Sequence, residues 1–331
     1  MKKLVFGAAA LSLTSLAVAN DSDWQALDQD IQALSASVQG LEGTGMNLGG
    51  RIRAFYNNNS DVDLGGFTVN NARLYAYGTT TEDIGYRLEV DFGGQGLLDA
   101  FLDIPVGGEI SLRVGQFRAH VLREALIDSG NLFFADRSVH ASLFAGRGQG
   151  VALQGNFDAF DWAVSVQNGA DGVTDDLFFA VRAELDILGE GTDLIEGAYG
   201  ASEEMEASAG IAYFNDDAVD DSDGIAFEAS MATSQFSAQA VVLSTGDAVS
   251  FANADGNELY AGGNFVAGLI AGNVNIADAT PFAIGGTFML TEASSDYGSW
   301  ELGARFQDLD DPLSTRIIDV GANYYAAGHD M

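Results

Sequence analysis

The feature that most constrains this chain is an alternation of apolar and polar residues that recurs from Met46 to Tyr325. In one stretch, Leu88 and Val90 alternate with Arg87 and Glu89. Side chains of a β-strand point alternately to its two faces, so a period of two predicts strands with one apolar and one polar face. About fourteen such segments of roughly ten residues are visible, and this is the length that crosses a bilayer as a tilted strand.

Two properties distinguish a membrane barrel from a soluble β-sandwich, which shares the alternation. The polar face carries arginine together with Asp and Glu. The connections are short at 80–83 and 105–108, and long at 119–147, 187–204 and 245–280. Short turns at one rim, long loops at the other and a charged interior predict an all-β, antiparallel transmembrane β-barrel. The candidates for its interfacial aromatic girdles are Tyr56, Phe92, Phe160, Trp300 and Tyr325.

The arginines are unevenly distributed. Nine of the twelve lie between Arg51 and Arg147, whereas most acidic residues follow Arg147. An arginine on the lipid side of a barrel costs about 2–4 kcal/mol near the midplane, so we predict that the strand arginines face the lumen. The candidates for an anion-binding pore constriction are Arg51, Arg53, Arg73, Arg87, Arg113, Arg118, Arg123 and Arg137. The alternative is that these arginines only pair with neighbouring carboxylates and stabilise the wall.

Composition excludes several other classes of protein. The chain has 14 Lys+Arg against 48 Asp+Glu, and a formal net charge of −34 repels nucleic acid. It has no cysteine and 3 histidines, so we predict no metal site, no cofactor and no catalytic residue. His140 has serines nearby, but no nucleophile-elbow motif surrounds it, which disfavours an esterase. An exported acidic adhesin without a pore is the alternative from another class.

The N-terminus carries two further patterns. Residues 1–19 combine two lysines, an apolar run and Ala-Val-Ala at 17–19, which predicts a cleaved secretory signal peptide. Residues 20–45 have apolar residues spaced alternately three and four apart, as in a coiled-coil seam: Trp24, Leu27, Ile31, Leu34, Val38 and Leu41. We interpret this segment as a short periplasmic coiled-coil helix, and the alternative is a single amphipathic helix.

Several motifs, in order along the chain, resemble the phosphate-selective porin O and P family. They are LRVGQFR at 112–118, LFFADRS at 132–138, RGQGVALQG at 147–155, LTE at 290–292, ELGARF at 301–306 and GANYY at 321–325. The resemblance implies a sixteen-stranded, trimeric channel in the bacterial outer membrane whose third long loop, here 119–147, folds inward. Because about fourteen strands are visible, we expect residues 46–331 to form a barrel whose last strands lie beyond the chain.

The expected function is therefore passive diffusion of small hydrophilic solutes and ions through an outer-membrane porin in contact with lipid. The clustered arginines predict a constriction that favours anions, and the resemblance implies that these anions are phosphate-like. Asn70 and Asn71 stand where the family has paired arginines, and no lysine follows Lys3. A general or cation-preferring porin is for this reason the alternative within the same class.

Overall fold

The computed structural model describes residues 45–59, 64–80, 82–93, 96–168, 177–216, 223–246, 278–291 and 298–326. The predicted signal peptide, and all but the last residue of the predicted coiled-coil segment, lie outside these residues. None of the helices in the described ranges is long and apolar enough to cross a membrane.

Within the described residues, fourteen strands form one sheet in which each strand pairs with its neighbours in sequence. The strands are β1 Met46–Asn59, β2 Leu64–Thr79, β3 Gly85–Asp91, β4 Gly96–Gly107, β5 Ile110–Arg118, β6 Arg147–Phe157, β7 Phe160–Asn168, β8 Leu177–Leu188, β9 Glu206–Asp216, β10 Asp223–Ala232, β11 Phe236–Thr245, β12 Phe282–Met289, β13 Ser299–Asp308 and β14 Arg316–Tyr325. Two short helices, α1 Arg123–Leu126 and α2 Val139–Leu143, lie between β5 and β6. The predicted all-β fold and number of strands are confirmed.

One face of the sheet is apolar and exposed. Val151 of β6 pairs with Val114 of β5 on one side and with Val166 of β7 on the other. Farther along the sheet, Ile284 and Ile318 are exposed by 55% and 73%. An exposed apolar band that continues from strand to strand is the lipid-facing surface of a membrane barrel.

A charge placed in this band is expected to destabilise the barrel. Val151 lies near the middle of β6 and is 44% exposed, so Val151→Arg should lower the free energy of unfolding by about 2–4 kcal/mol. Gln154→Arg, on the opposite face of the same strand, is the matched control and should cost much less. Urea unfolding in phospholipid vesicles measures both, and an equal loss would contradict the assignment of the faces.

The segment 119–146, which joins β5 to β6, lies against the other face of the sheet. Arg53 of β1 donates to the carbonyl oxygen of Ala135 at 2.7 Å, and Asn323 of β14 donates to that of Phe133 at 2.8 Å. These two strands are the first and the last of the sheet. Because both contact one short stretch of chain, the sheet curls around the inserted segment.

The inserted segment brings a hydrophobic core into the interior. Val121 and Leu122 are buried with Phe214 of β9 and Leu243 of β11, and the rings of Phe144 and Phe214 lie 4.8 Å apart. Apolar residues thus serve as internal packing as well as lipid-facing surface. The segment is fixed to the β9–β11 wall by this burial, which leaves its other side facing β1–β5.

Connections alternate between two rims because every neighbouring pair of strands is antiparallel. Connection 119–146 lies at one rim, whereas 189–205 lies at the other, together with the short turns at 80–84, 108–109 and 158–159. The expectation that all long connections lie opposite the short turns is therefore wrong. The number of antiparallel strands that precede a connection fixes its rim, and its length does not.

One of the predicted girdle aromatics faces inward. Trp300 is 46% exposed on the outer face and packs against Tyr324, with ring centroids 5.0 Å apart. Tyr325, the next residue, donates its hydroxyl to Glu301 at 2.7 Å and stacks on Tyr199 at 4.0 Å. Tyr324 therefore takes the outer position that was expected for Tyr325, because residues next to each other in a strand point to opposite faces.

Candidate channel constriction

Two candidate arginines lie at the junction between the inserted segment and the wall formed by β1–β3, which we call the cleft. Arg51 pairs with Asp128 and donates to the hydroxyl of Ser129 at 2.7 Å. Arg87 donates to Glu89 at 2.6 Å and lies 3.8 Å from Asp128. The two arginine side chains remain 19% and 30% exposed, so each guanidinium group is accessible to a solute while it is held by a carboxylate.

Arg53 lies between the same wall and the tip of the inserted segment. Its guanidinium group donates to the carbonyl oxygen of Ala135 at 2.7 Å and lies 4.9 Å from the ring centroid of Phe55. Asp136, next to Ala135, is the carboxylate that attracts the Arg53 guanidinium group most strongly. Ala135 itself is exposed. Arg53 is thus a cation at the edge of the cleft that donates to a carbonyl oxygen and is attracted by the Asp136 carboxylate.

Arg73 and Arg113 are held by carboxylates of the strand wall. Arg73 is 9% exposed and lies 3.1 Å from both Glu89 and Asp91. Arg113 donates two hydrogen bonds to Asp103, at 2.7 and 2.8 Å, and lies over the ring of Phe101. Paired arginines of this kind stabilise the wall, which is the alternative that the sequence left open.

Three candidates remain, and they stabilise the conformation of the inserted segment and its contact with the rest of the chain: Arg118, Arg123 and Arg137. Arg118 donates to the carbonyl oxygens of Ala125 and Ile127, both at 3.0 Å, where α1 ends. Arg137 donates to the carbonyl oxygen of Glu124 at 3.1 Å, and Arg123 donates to carbonyl oxygens of residues 193 and 195. All three arginines are at most 9% exposed. The anion contacts proposed below therefore fall to the three cleft arginines: Arg51, Arg53 and Arg87.

A cluster of carboxylates around Arg305 was not among the predicted site residues. On the far side of the inserted segment, Arg305 of β13 lies 2.9 Å from Glu124, 3.2 Å from Glu196 and 2.8 Å from Asp319. The sequence contained one signal of this arrangement. An arginine in the strongly acidic second half of the chain, placed on a polar strand face, was bound to have carboxylate neighbours.

Ionisation inside the inserted segment follows from burial and from these ion pairs. Burial alone would raise the pKa of Asp128, but Arg51 and the N–H of Gly130 hold it well below its usual range. Asp128 is therefore ionised and matches the charge of Arg51. Burial lowers the pKa values of His120 and His140 to about 4. Both histidines are neutral at pH 7 and add no positive charge to the cleft.

The surroundings of His140 also bear on the esterase alternative. The hydroxyl of Ser138 donates to Glu124 at 2.6 Å and accepts from the N–H of Ala141 at 3.1 Å, which makes Ser138 the N-cap of α2. His140 is 1% exposed. A serine used as a helix cap beside a buried histidine has no open position for a substrate carbonyl. The geometry here is that of a packed loop.

An antiparallel sheet with an apolar outer face, curled around an inserted segment and charged residues, defines the class of outer-membrane porins. The family model "Phosphate-selective porin O and P" matches residues 46–184. The predicted resemblance is confirmed over these residues. The class is one of bacterial outer-membrane channels, and passive diffusion is its mode of transport.

One solved structure supports the same fold, and a second is reported beside it. The anion-selective porin from Comamonas acidovorans matches with a TM-score of 0.50 and 13% identity, over 85% of this chain and 83% of that one. A triple mutant of the Rhodopseudomonas blastica porin matches with a TM-score of 0.38 and 12% identity, over 84% and 99% of the two chains. No curated protein matches the chain.

Proposed function

We propose that this porin prefers small anions, which pass through the cleft between β1–β3 and the inserted segment. The observation that carries the proposal is the guanidinium group of Arg53, which donates to the carbonyl oxygen of Ala135 at the exposed tip of the segment. The partly exposed guanidinium groups of Arg51 and Arg87 add hydrogen-bond donors. Guanidinium groups at a narrow point favour anions by electrostatic attraction and by charge-assisted hydrogen bonds.

Phosphate-like oxyanions fit these donors best because a guanidinium group presents paired N–H groups to two oxygens at once. The name of the matched family and the anion selectivity of the Comamonas acidovorans porin support this choice of solute. The net charge of −34 favours the alternative, a general or cation-preferring porin. Local charge at the narrowest point outweighs distant charge when salt screens interactions beyond about 8–10 Å.

The remaining parts of the proposal concern export and assembly. We propose that the signal peptide at residues 1–19 is cleaved, that residues 20–45 form a periplasmic coiled-coil helix, and that the porin is a homotrimer in lipid. The seam spacing of the coiled coil supports an assembly of several chains. Under the same proposal the rim with the short turns faces the periplasm, as in other outer-membrane barrels.

Reversal potentials in a salt gradient across planar bilayers test the anion preference. Arg53→Ala should lower the anion-to-cation permeability ratio several-fold, and added phosphate should reduce the chloride current of the unmodified protein but not of this variant. Arg316→Ala is the matched control, because it removes the same charge from an exposed position at a rim, where Arg316 pairs with Asp308 at 2.9 Å.

A cation preference in the unmodified protein, or equal shifts in the two variants, would refute the role of Arg53. If phosphate left the chloride current unchanged, the preference for oxyanions would be refuted and a general porin would remain. A folded protein without any conductance would instead favour the acidic surface protein as the alternative from another class.

A further inference from the structure

A second segment, residues 189–205, also lies inside the curled sheet. It joins β8 to β9 at the rim of the short turns, so it enters from the end opposite the inserted segment 119–146. Gly191, near its start, has φ +78°, and a Cβ there would collide with Asp186. Glycine at this position therefore permits the sharp reversal that turns the chain inward.

The second segment is fixed to the wall at its middle. The N–H of Ala198 donates to Glu301 of β13 at 2.5 Å and to Thr287 of β12 at 3.1 Å. The hydroxyl of Ser237 on β11 donates to the carbonyl oxygen of Glu196 at 3.0 Å. Glu196 and Ala198 are 4% and 0% exposed. The segment is thus a buried part of the interior, and Glu196 lies at its point of attachment.

Glu196 also holds the tip of the first segment. One carboxylate oxygen accepts from the N–H groups of Phe133 and Phe134, at 2.7 and 3.2 Å. The N–H of Glu196 donates to the carbonyl oxygen of Asn131 at 3.0 Å. The stretch that these bonds hold continues directly into Ala135, whose carbonyl oxygen accepts from Arg53. A chain of hydrogen bonds therefore runs from the second segment, through the tip, to the cleft.

We infer that Glu196 is a positioning residue of the channel, which holds the tip of the inserted segment against the cleft although no solute reaches it. In this arrangement the constriction consists of two segments that enter from opposite ends and meet at Glu196. The contact between the two segments limits fluctuations in the width of the cleft. The inference rests on the channel function proposed above but not on its preference for anions.

Charged groups around Glu196 predict a dependence of this contact on pH. Arg305 of β13, Glu124 and Arg123 of α1 and Tyr325 of β14 face it. Burial first, and then repulsion from Glu124, raise the pKa of Glu196 from 4.5 to about 7. A carboxyl group whose pKa is raised on docking stabilises the docked state at low pH, and this stabilisation is lost as the pH rises through 7.

The expected result is that raising the pH from 6 to 8 lowers the ratio of docked to undocked tip about ten-fold. Open-channel current noise in planar bilayers reports undocking of the tip. The noise should increase with pH in the unmodified protein. Glu196→Gln is neutral at every pH and keeps an acceptor for Phe133 and Phe134, so its noise should be low and independent of pH. Working at pH 6 and above keeps the two buried histidines neutral.

Glu203→Gln is the matched control, because it removes one carboxylate from an exposed position of the same segment. It should follow the unmodified protein at each pH. A pH-independent noise in the unmodified protein, or a pH dependence that persists in Glu196→Gln, would overturn the inference. Where Glu196→Gln fails to give a folded barrel, Glu196→Asp takes its place: its shorter side chain should raise the noise at pH 6, and unchanged noise would overturn the inference. Reversal potentials report the anion preference separately.

Discussion

Replacing residues 120–145 with a short glycine-containing turn is expected to raise the single-channel conductance several-fold. Arg118 and Arg147, the last residue of β5 and the first of β6, are register partners, so a tight turn closes the hairpin without altering its pairing. The inserted segment lies against both ends of the sheet. Its removal replaces a packed hydrophobic core and a buried ion-pair cluster by water, which widens the conducting path. Single-channel recording in planar bilayers measures the change.

The loop between β7 and β8 provides a matched control for this shortening. Asn168 and Leu177 are also register partners, so residues 169–176 can be replaced by the same turn. This variant should keep the conductance of the unmodified protein, because the hydrogen bonds that hold the tip of the inserted segment come from β1, β14 and Glu196. If removal of the inserted segment left the conductance unchanged, the segment would not form the constriction.

The second large effect is expected on stability, from Arg305→Met. The Arg305 side chain is 2% exposed and lies within 3.2 Å of carboxylate oxygens of Glu124, Glu196 and Asp319. Its loss leaves buried carboxylates without their cation. Breaking a buried pair in this way costs about 3–5 kcal/mol, since the remaining charges are neither solvated nor neutralised. Urea unfolding in phospholipid vesicles should show a loss of that size.

Arg316→Met is the control for the stability measurement. Arg316 pairs with Asp308, but its side chain is 66% exposed, so solvent already screens the pair and its loss should change stability little. Adding Asp319→Asn to Arg305→Met should recover part of the stability, because one of the unpaired carboxylates is removed. A similar loss in the two single variants, or no recovery in the double variant, would show that the cluster does not hold the interior together.

The strands and the faces of the sheet were readable from local sequence. Alternation of period two specifies which side chains share a face, and the cost of arginine in lipid specifies which face is inside. Val151 on the outside and Arg87 on the inside both follow from this reasoning. The long connection 119–147 was predicted to fold inward from the family resemblance, and its contacts with β1 and β14 agree with this.

The partners of the arginines were not readable in the same way. Arg53 and Arg137 both lie in the first half of the chain, where most of the arginines are. One lies at the edge of the cleft, and the other is buried with the carbonyl oxygens of Glu124 and Ile127 as acceptors. The difference arises from contacts between residues far apart in sequence, and no local pattern encodes these contacts.

The sequence by itself determined that the chain is a membrane barrel with an apolar outside and an arginine-rich interior, because strand periodicity and the cost of charge in lipid act residue by residue. Only the tertiary structure decided that two segments, 119–146 and 189–205, enter from opposite rims and meet at Glu196. The rim at which a segment enters depends on the count of antiparallel strands, and its docking depends on hydrogen bonds across the curled sheet. These properties belong to the whole sheet and not to any one stretch of it.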